Sequence, residues 1–365
     1  MLWISGLLAA GMMAAPPDTV RIRGDTPACS SCRLTVTPLV VLGSPGDTVG
    51  PDLQYWVAAD SRGRYYVAPT IGLGQVAVYD STGRLLGLLG RRGQGPGEFE
   101  HAGPVKVGPD DSLFVFDHSL NRLTVFDRDL KVARTQLLPV WPRNVLIRRS
   151  GEMVMQAMVP TPDRIGFPLH LVSRDGRILA SYGAERPVVS RRHTAAQWPE
   201  LAESTDPGAV WIASRDAYVL SLWRDGGARI LTIVREVDWF PPRAEDVFVP
   251  EDAARPVPWI RGIFQDRQGL LWVLVSVADQ QWRARPRAGG GVERRPVSNS
   301  EINRYVDTRI EVLDPSAGVL VAAVRHPSLL MGFVEEGLVF GPRGDDQGNE
   351  FVEIYRLALT GANAP

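Results

Sequence analysis

The sequence predicts an all-β fold: a six-bladed β-propeller, a ring of blades that are each a four-stranded antiparallel sheet. Three observations carry this reading. A unit of strand, tight turn, strand, loop, strand, turn and strand returns at a period of roughly 40 to 50 residues, the spacing of propeller blades. Gly (36) and Pro (29) are abundant in a chain of 365 residues that is 44% hydrophobic, which suits many short strands around a packed core. An extra strand pattern near the N-terminus supplies what the last blade lacks.

The clearest copies abut. One runs from Tyr55 to Phe99 and the next from Pro104 to Pro139. In each, Val, Leu, Phe and Tyr alternate with polar residues, and Gly, Asp, Asn and Ser mark the turns. A third copy spans Arg143 to Glu185, with strands NVLIRR, EMVMQAM, PLHLVSRDG and RILASYG. The fourth is expected from Ala209 to Pro242, as AVWIAS, YVLSLW, ARILTIV and VDWF. The fifth runs from Ile260 to Pro327, and the sixth shows LLMGFVEE, LVFGPRG and FVEIYRLAL before the chain ends. That blade needs one more strand. Leu39 to Gly43, which resembles the outer strand LLGLLG of the first copy, is expected to supply it and to pair with Phe351–Leu359. The organisation is then an export signal at 1–17, a lead carrying a CxxC pair at 18–33, the propeller at 34–361 and a tail at 362–365.

These repeats resemble the six-bladed propellers of the NHL-repeat and YWTD-like groups. The likeness rests on GRRGQGPGEF (Gly90–Phe99) followed by the run Pro104–Val132. It also rests on a D-x-x-G element at the end of the third strand. Asp80-Ser-Thr-Gly83 fits that element fully, Asp127-Arg-Asp-Leu130 departs at the Gly, and Ser173-Arg-Asp-Gly176 departs at the Asp. The resemblance implies the fold. It does not imply one function, because propellers host many activities.

A net charge of −1 gives no global attraction for nucleic acid or anionic lipid, and RNA binding of the kind some NHL propellers show is not expected. Of the 40 basic residues, two are lysine, Lys106 and Lys131, and the rest are arginine. Met1 to Ala15 is apolar or small and uncharged. It is too short to span a bilayer and reads as the apolar region of an export signal, although it lacks a basic start. Export to the periplasm or beyond is therefore expected, with no transmembrane anchor and a monomeric state. The only cysteines are Cys29 and Cys32. A redox CxxC needs a helix at the pair, whereas the sequence here runs into the strand-like RLTVTPLVVLG. A zinc site needs two more ligands, and the five His are scattered. A short structural disulfide is the reading that suits export.

Strand parity sorts the loops onto two faces. Turns joining the first to the second strand of a blade, and the third to the fourth, share one face and are short. The long segments, including Arg186–Gly208, Pro241–Trp259 and Gln280–Asp307, fall on the other. Function concentrates on loops held by a rigid scaffold, so the long-loop face is the candidate face. Within Arg186–Gly208 the run Thr194–Ala202 has a short helical pattern. Gln280–Asp307 interleaves Arg283, Arg285, Arg287, Arg294 and Arg295 with Trp282 and Tyr305, a combination that can grip phosphates, carboxylates or stacked rings but reads first as a solvated loop. Asp60, Asp110 and Asp266 sit on the short-turn face, where carboxylates cap tight turns. His118 and His170 lie inside blades and read as packing residues.

Motifs for catalysis are lacking: there is no G-x-S-x-G, HExxH, P-loop or dinucleotide fingerprint. The favoured function is a non-enzymatic binding module that holds a protein, peptide or glycan on the long-loop face, with no cofactor. Residues just before each inner strand should ring the channel mouth. The ligand-binding candidates are Gln54, His101, Arg143 and Arg261, with Arg92 and Glu98 in the loop beside them. Three Arg and a His would suit an anionic ligand. The alternative is a metal-dependent hydrolase or lactonase, or a lyase of the amidating kind, with Ca or Zn held in the channel.

Overall fold

The computed structural model describes residues 18–45, 55–69, 74–185, 199–215, 217–241, 255–282 and 299–361. The N-terminal apolar run, Gln54, the arginine cluster 283–295 and the tail 362–365 lie outside the described residues.

The chain opens with β1 (Asp18–Arg23) and β2 (Arg33–Leu42). Blade 1 is β3 (Tyr55–Ala59), β4 (Tyr65–Pro69), β5 (Val76–Tyr79) and β6 (Leu85–Leu89). Blade 2 is β7 (Ala102–Val107), β8 (Leu113–Asp117), β9 (Arg122–Phe126) and β10 (Val132–Leu137). Blade 3 is β11 (Asn144–Ile147), β12 (Met153–Gln156), β13 (Leu169–Val172) and β14 (Ile178–Tyr182). Blade 4 is β15 (Glu200–Glu203), β16 (Ala209–Ala213), β17 (Val219–Arg224) and β18 (Arg229–Glu236). Blade 5 is β19 (Trp259–Gln265), β20 (Leu271–Ala278), β21 (Val306–Asp314) and β22 (Val319–His326), with one helical turn, α1 (Asn299–Ile302), between its second and third strands. Blade 6 is β23 (Gly332–Glu335), β24 (Leu338–Gly344) and β25 (Glu350–Thr360). The order β2-β25-β24-β23 places β2 as the fourth strand of that sheet.

The molecule is an all-β six-bladed propeller. Successive inner strands β3, β7, β11, β15, β19 and β23 touch, and β23 touches β3, so they surround a central channel. The core consists of apolar layers between blades. Phe114, Phe116 and Leu123 of blade 2 meet Val145, Met153 and Met155 of blade 3, for example, with each side chain at most 5% exposed. Alternation along each strand sends one set of side chains to each neighbouring blade, so the strands are buried on both faces.

Blade 4 differs from the sequence expectation by one strand. Its inner strand is Glu200–Glu203, which read as part of a helical pattern, and AVWIAS is its second strand. Val237–Phe240, expected as the outer strand, forms a turn whose Phe240 packs against Tyr218. The local pattern misleads because β15 carries Glu at both ends and owes its place to contacts with β11 and β19 rather than to its own apolar content. β18 is the true outer strand, and β1 adds to it in parallel as a fifth.

The N-terminal lead belts the outside of blades 4 to 6. It pairs along β18, hydrogen-bonds blade 5 through Ala28 N–H to Leu320 O (2.8 Å), and enters blade 6 as β2. Between these points Cys29 and Cys32 form a disulfide. Cys32 packs with Trp272 of blade 5 and Leu357 of blade 6. A buried ion network locks the start of the belt. Arg235, 3% exposed, donates to the carbonyls of Ile22 (3.3 Å) and Gly24 (2.6 Å) and pairs with the buried Glu311 through Nε (3.0 Å). Tyr218 Oη donates to the same carboxylate at 2.9 Å. Glu311 is thus fully satisfied, the condition under which a buried charge is tolerated.

Candidate functional site at the channel mouth

The site begins with where short turns leave no room and long loops do. The connections 60–64, 80–84, 127–131 and 266–270 are hairpin turns in which an Asp carboxylate accepts two backbone N–H groups. Asp60 Oδ1 takes those of Arg62 (3.1 Å) and Arg64 (2.9 Å), and Asp266 Oδ1 those of Gln268 and Leu270 (both 2.9 Å). Asp110 likewise accepts from Ser112 N–H at 3.2 Å. These carboxylates cap turns. The described ends of the remaining long connections, 183–185 and 199, 237–241 and 255–258, and 279–282 and 299–305, lie at the opposite end of the ring, where the inner strands begin.

Near that end, residues of the inner strands and of the loops beside them form a basic and aromatic cluster. Trp56 of β3 lies flat on Gly103 of β7, whose φ of +137° and a ring 2.6 Å from where a Cβ would stand admit only glycine. Trp141, ahead of β11, donates Nε1–H to Gly103 O at 3.2 Å, and its ring meets that of Trp56 edge-on at 6.4 Å. Trp56 Nε1–H in turn reaches Arg143 O at 3.3 Å. These bonds fix the segment 141–143 at the mouth.

Arg143 is one of a set of cations. Arg261, third residue of β19, donates Nε–H to Ser276 Oγ at 3.2 Å. Burial pushes its pKa down to about 9, Arg215 and Arg143 push the same way, and Glu200 opposes them. A guanidinium held there still carries its charge at neutral pH. Arg215, in the loop between β16 and β17, grips Glu200 through Nε (2.8 Å) and Nη2, and its Cζ lies 5.6 Å from the Trp259 ring centre. Lys106 of β7 is also desolvated, which lowers its pKa, with Glu200 again opposing. Cations from blades 2, 3, 4 and 5 therefore share one field, and Glu200 is the carboxylate among them in the described residues. Such an array supplies guanidinium forks and indole faces that match carboxylates or phosphates and planar groups.

No protein-family model matches the chain, and no curated protein matches it. The likeness to solved structures is one of fold. An inferred exported protein of Bacteroides fragilis aligns with 94% of this chain and 100% of its own at 10% identity, with a TM-score of 0.57. A member of the duf4221 family from Bacteroides vulgatus aligns with 92% of this chain and 100% of its own at 8% identity, with a TM-score of 0.58. A streptogramin B lyase superposes at a TM-score of 0.46 and 12% identity, over 91% of this chain and 100% of its own.

The other sequence candidates divide. His101 sits beside the aromatic cluster: its Nδ1 is 2.8 Å from Ser119 Oγ, and its ring centre is 4.6 Å from that of His118, which continues to Trp141 at 5.3 Å. Burial and then His101 lower the pKa of His118, and Asp117 opposes. Arg92 and Glu98 serve their own loop. Arg92 pairs with Glu100 (3.3 Å), while Glu98 accepts Gly95 N–H (2.8 Å) and pairs with Arg91. Arg122 of β9 holds that loop through the carbonyls of Gln94 (2.6 Å) and Glu98. Sequence reasoning missed Lys106, Glu200, Arg215, Trp56 and Trp141. Lys106 carried a signal, as one of two lysines in an arginine-rich chain. Glu200 carried none once its strand was taken for helix. Among the described residues no three His, Cys, Asp or Glu gather as a metal-ligand set, and no helix is long and apolar enough to cross a membrane.

Proposed function

We propose that this protein is an exported binding module that holds an anionic protein, peptide or glycan over the channel mouth on its long-loop face. One observation carries the reading: Arg143, Arg215 and Arg261, from three blades, converge with Lys106 around Glu200 beside Trp56, Trp141 and Trp259. Desolvated, preorganised cations bind anions more strongly than the same groups in water. Export is supported by the disulfide and by the apolar N-terminal run, since disulfides persist in oxidising compartments.

The test screens the full chain against acidic and neutral peptides and glycans. It then repeats any hit with Arg143→Glu, Arg261→Gln and Arg261→Glu while following thermal melting. Lost binding at unchanged melting supports the mouth as the site. Retained binding in these variants, with loss in Arg84→Glu or Arg177→Glu on the short-turn face, would place the ligand at the other end.

A further inference from the structure

A cleft of about 540 Å³ opens on the long-loop face between blades 4 and 5, outward from the channel mouth. Its size falls in the range of small-molecule sites. Its walls are unusual in chemistry. Trp239, Pro258 and Val277 give an apolar surface, and the charged groups that line it are the guanidiniums of Arg255, Arg309 and Arg325.

Two of these arginines are held from behind. Arg309 donates Nε–H to Glu311 (2.9 Å) and Nη2–H to Asp25 (3.0 Å), and its Cζ stacks 4.8 Å from the Trp239 ring centre. Trp239 Nε1–H also reaches Asp25, at 3.0 Å. Arg325 pairs with Asp307 through Nε (2.5 Å) and donates Nη2–H to Ala278 O. The Asp307 and Glu311 side chains are 4% and 0% exposed, against 39% and 24% for Arg325 and Arg309. None of the three carboxylates lines the cleft. Arg255 stands exposed in the cleft wall, and no ion pair holds it among the described residues. The acids thus fix Arg309 and Arg325 in place, with Asp25 half exposed, while Arg255 brings to the cleft a charge that no acid pairs among the described residues. That is the arrangement of a preorganised anion site with an apolar floor.

We propose that this cleft is a second ligand site, distinct from the channel mouth, and that it takes an aromatic carboxylate. The ring lies against Trp239 and the proline wall, and the carboxylate is gripped by Arg255 and Arg325. An uncharged ring lacks the anion for the forks, and a bare anion lacks the body for the floor.

The experiment titrates 2-naphthoate into the full chain by calorimetry, with 2-naphthamide and inorganic phosphate as the uncharged and ringless probes. Saturable naphthoate binding is expected, weakened about tenfold or more in the amide and in Arg255→Gln, each of which removes a charge-assisted contact. Arg325→Lys keeps the charge but loses the fork, and should weaken binding as well. Arg255 is exposed and has no ion pair among the described residues, so Arg255→Gln should melt like the parent. Arg143→Glu, at the mouth, should leave naphthoate binding unchanged. Equal binding of acid and amide, phosphate binding as tight as naphthoate, an unaffected Arg255→Gln, or no saturation at millimolar concentration would each overturn the proposal. If Arg143→Glu abolishes naphthoate binding and Arg255→Gln does not, the ligand sits at the mouth. That result would reject this second site and support the first.

Discussion

Single residues in this protein are explained by what they satisfy. Asp60 caps its turn as the sequence suggests; it is 4% exposed and spends its lone pairs on two turn N–H groups, Arg64 Nε (2.6 Å) and Tyr66 Oη (2.8 Å). Leu130 stands where the repeat prefers Gly and adopts φ of 62°, and Ser173 replaces Asp by accepting Arg177 N–H at 2.9 Å. The turn geometry survives both departures because its backbone bonds, such as Leu130 N–H to Asp127 O at 2.8 Å, carry it. His170 gives the clearest pH dependence. It is fully buried, and its Nε2 lies 3.2 Å from Ala157 O, so that nitrogen donates and Nδ1 accepts from Ser181 Oγ at 2.8 Å. Burial lowers its pKa to about 4 from 6.5. The unfolded chain therefore binds the extra proton first, so stability is full above pH 6.5 and falls as pH drops towards 4, by on the order of 3 kcal/mol. Melting measured from pH 7 to 4 should fall with this slope in the parent and flatten in His170→Gln, which keeps the donor to Ala157. An unchanged slope in the variant would assign the effect to other groups.

At the scale of elements, strand content was legible where alternation was clean and illegible where neighbours supplied the burial. Blades 1, 2, 3, 5 and 6 follow the expected strand runs. Blade 4 does not, because ELAE is too short and too polar to announce itself. β1 was not expected either. DTVRIR alternates well enough, but a parallel addition to a distant strand leaves no mark in local sequence. β2 runs from Arg33 to Leu42, longer than the five residues expected, and pairs with β25 from Thr360 back to Val352. The disulfide joins cysteines only three positions apart, between β1 and β2. Cross-linking so short a loop removes about 2 kcal/mol of chain entropy at most. Cys29→Ser/Cys32→Ser should therefore melt only a few degrees below the parent. A collapse of folding in that variant would show that the pair does more than close its own loop.

For the whole molecule, the ring makes every blade a neighbour of two others. Removing β2 leaves β25 as an open edge and takes from blades 5 and 6 the apolar layer that Leu34, Val36 and Cys32 complete. A chain beginning at residue 50 also loses β1 and the carbonyls that satisfy Arg235. It should lack the parent's single cooperative melt and expose apolar surface to a dye such as ANS. Melting identical to the parent would show that the ring holds without its belt. The two faces follow from strand parity, which puts the turns between first and second and between third and fourth strands at one end of the ring and the other connections at the opposite end, where longer surface loops cost little closure entropy.

The blade repeat, the turn chemistry, the two loop faces and the pairing of Cys29 with Cys32 are legible in the order of residues alone. All of these are written in local periodicity and spacing. That order also placed Arg143, Arg261 and His101 at the starts of inner strands or just before them. Which charges meet is settled by the folded ring. Lys106, Glu200, Arg215 and Arg261 are separated by up to 155 positions and share one field because the ring gathers three inner strands, β7, β15 and β19, and the loop between β16 and β17 around one channel. The folded ring also decided that Arg92 and Glu98 form ion pairs within their own loop, and that the belt from Asp18 crosses three blades. The physical reason is the same throughout. Strand formation depends on residues within a few positions, while burial and charge pairing depend on partners that the ring brings together from far along the chain.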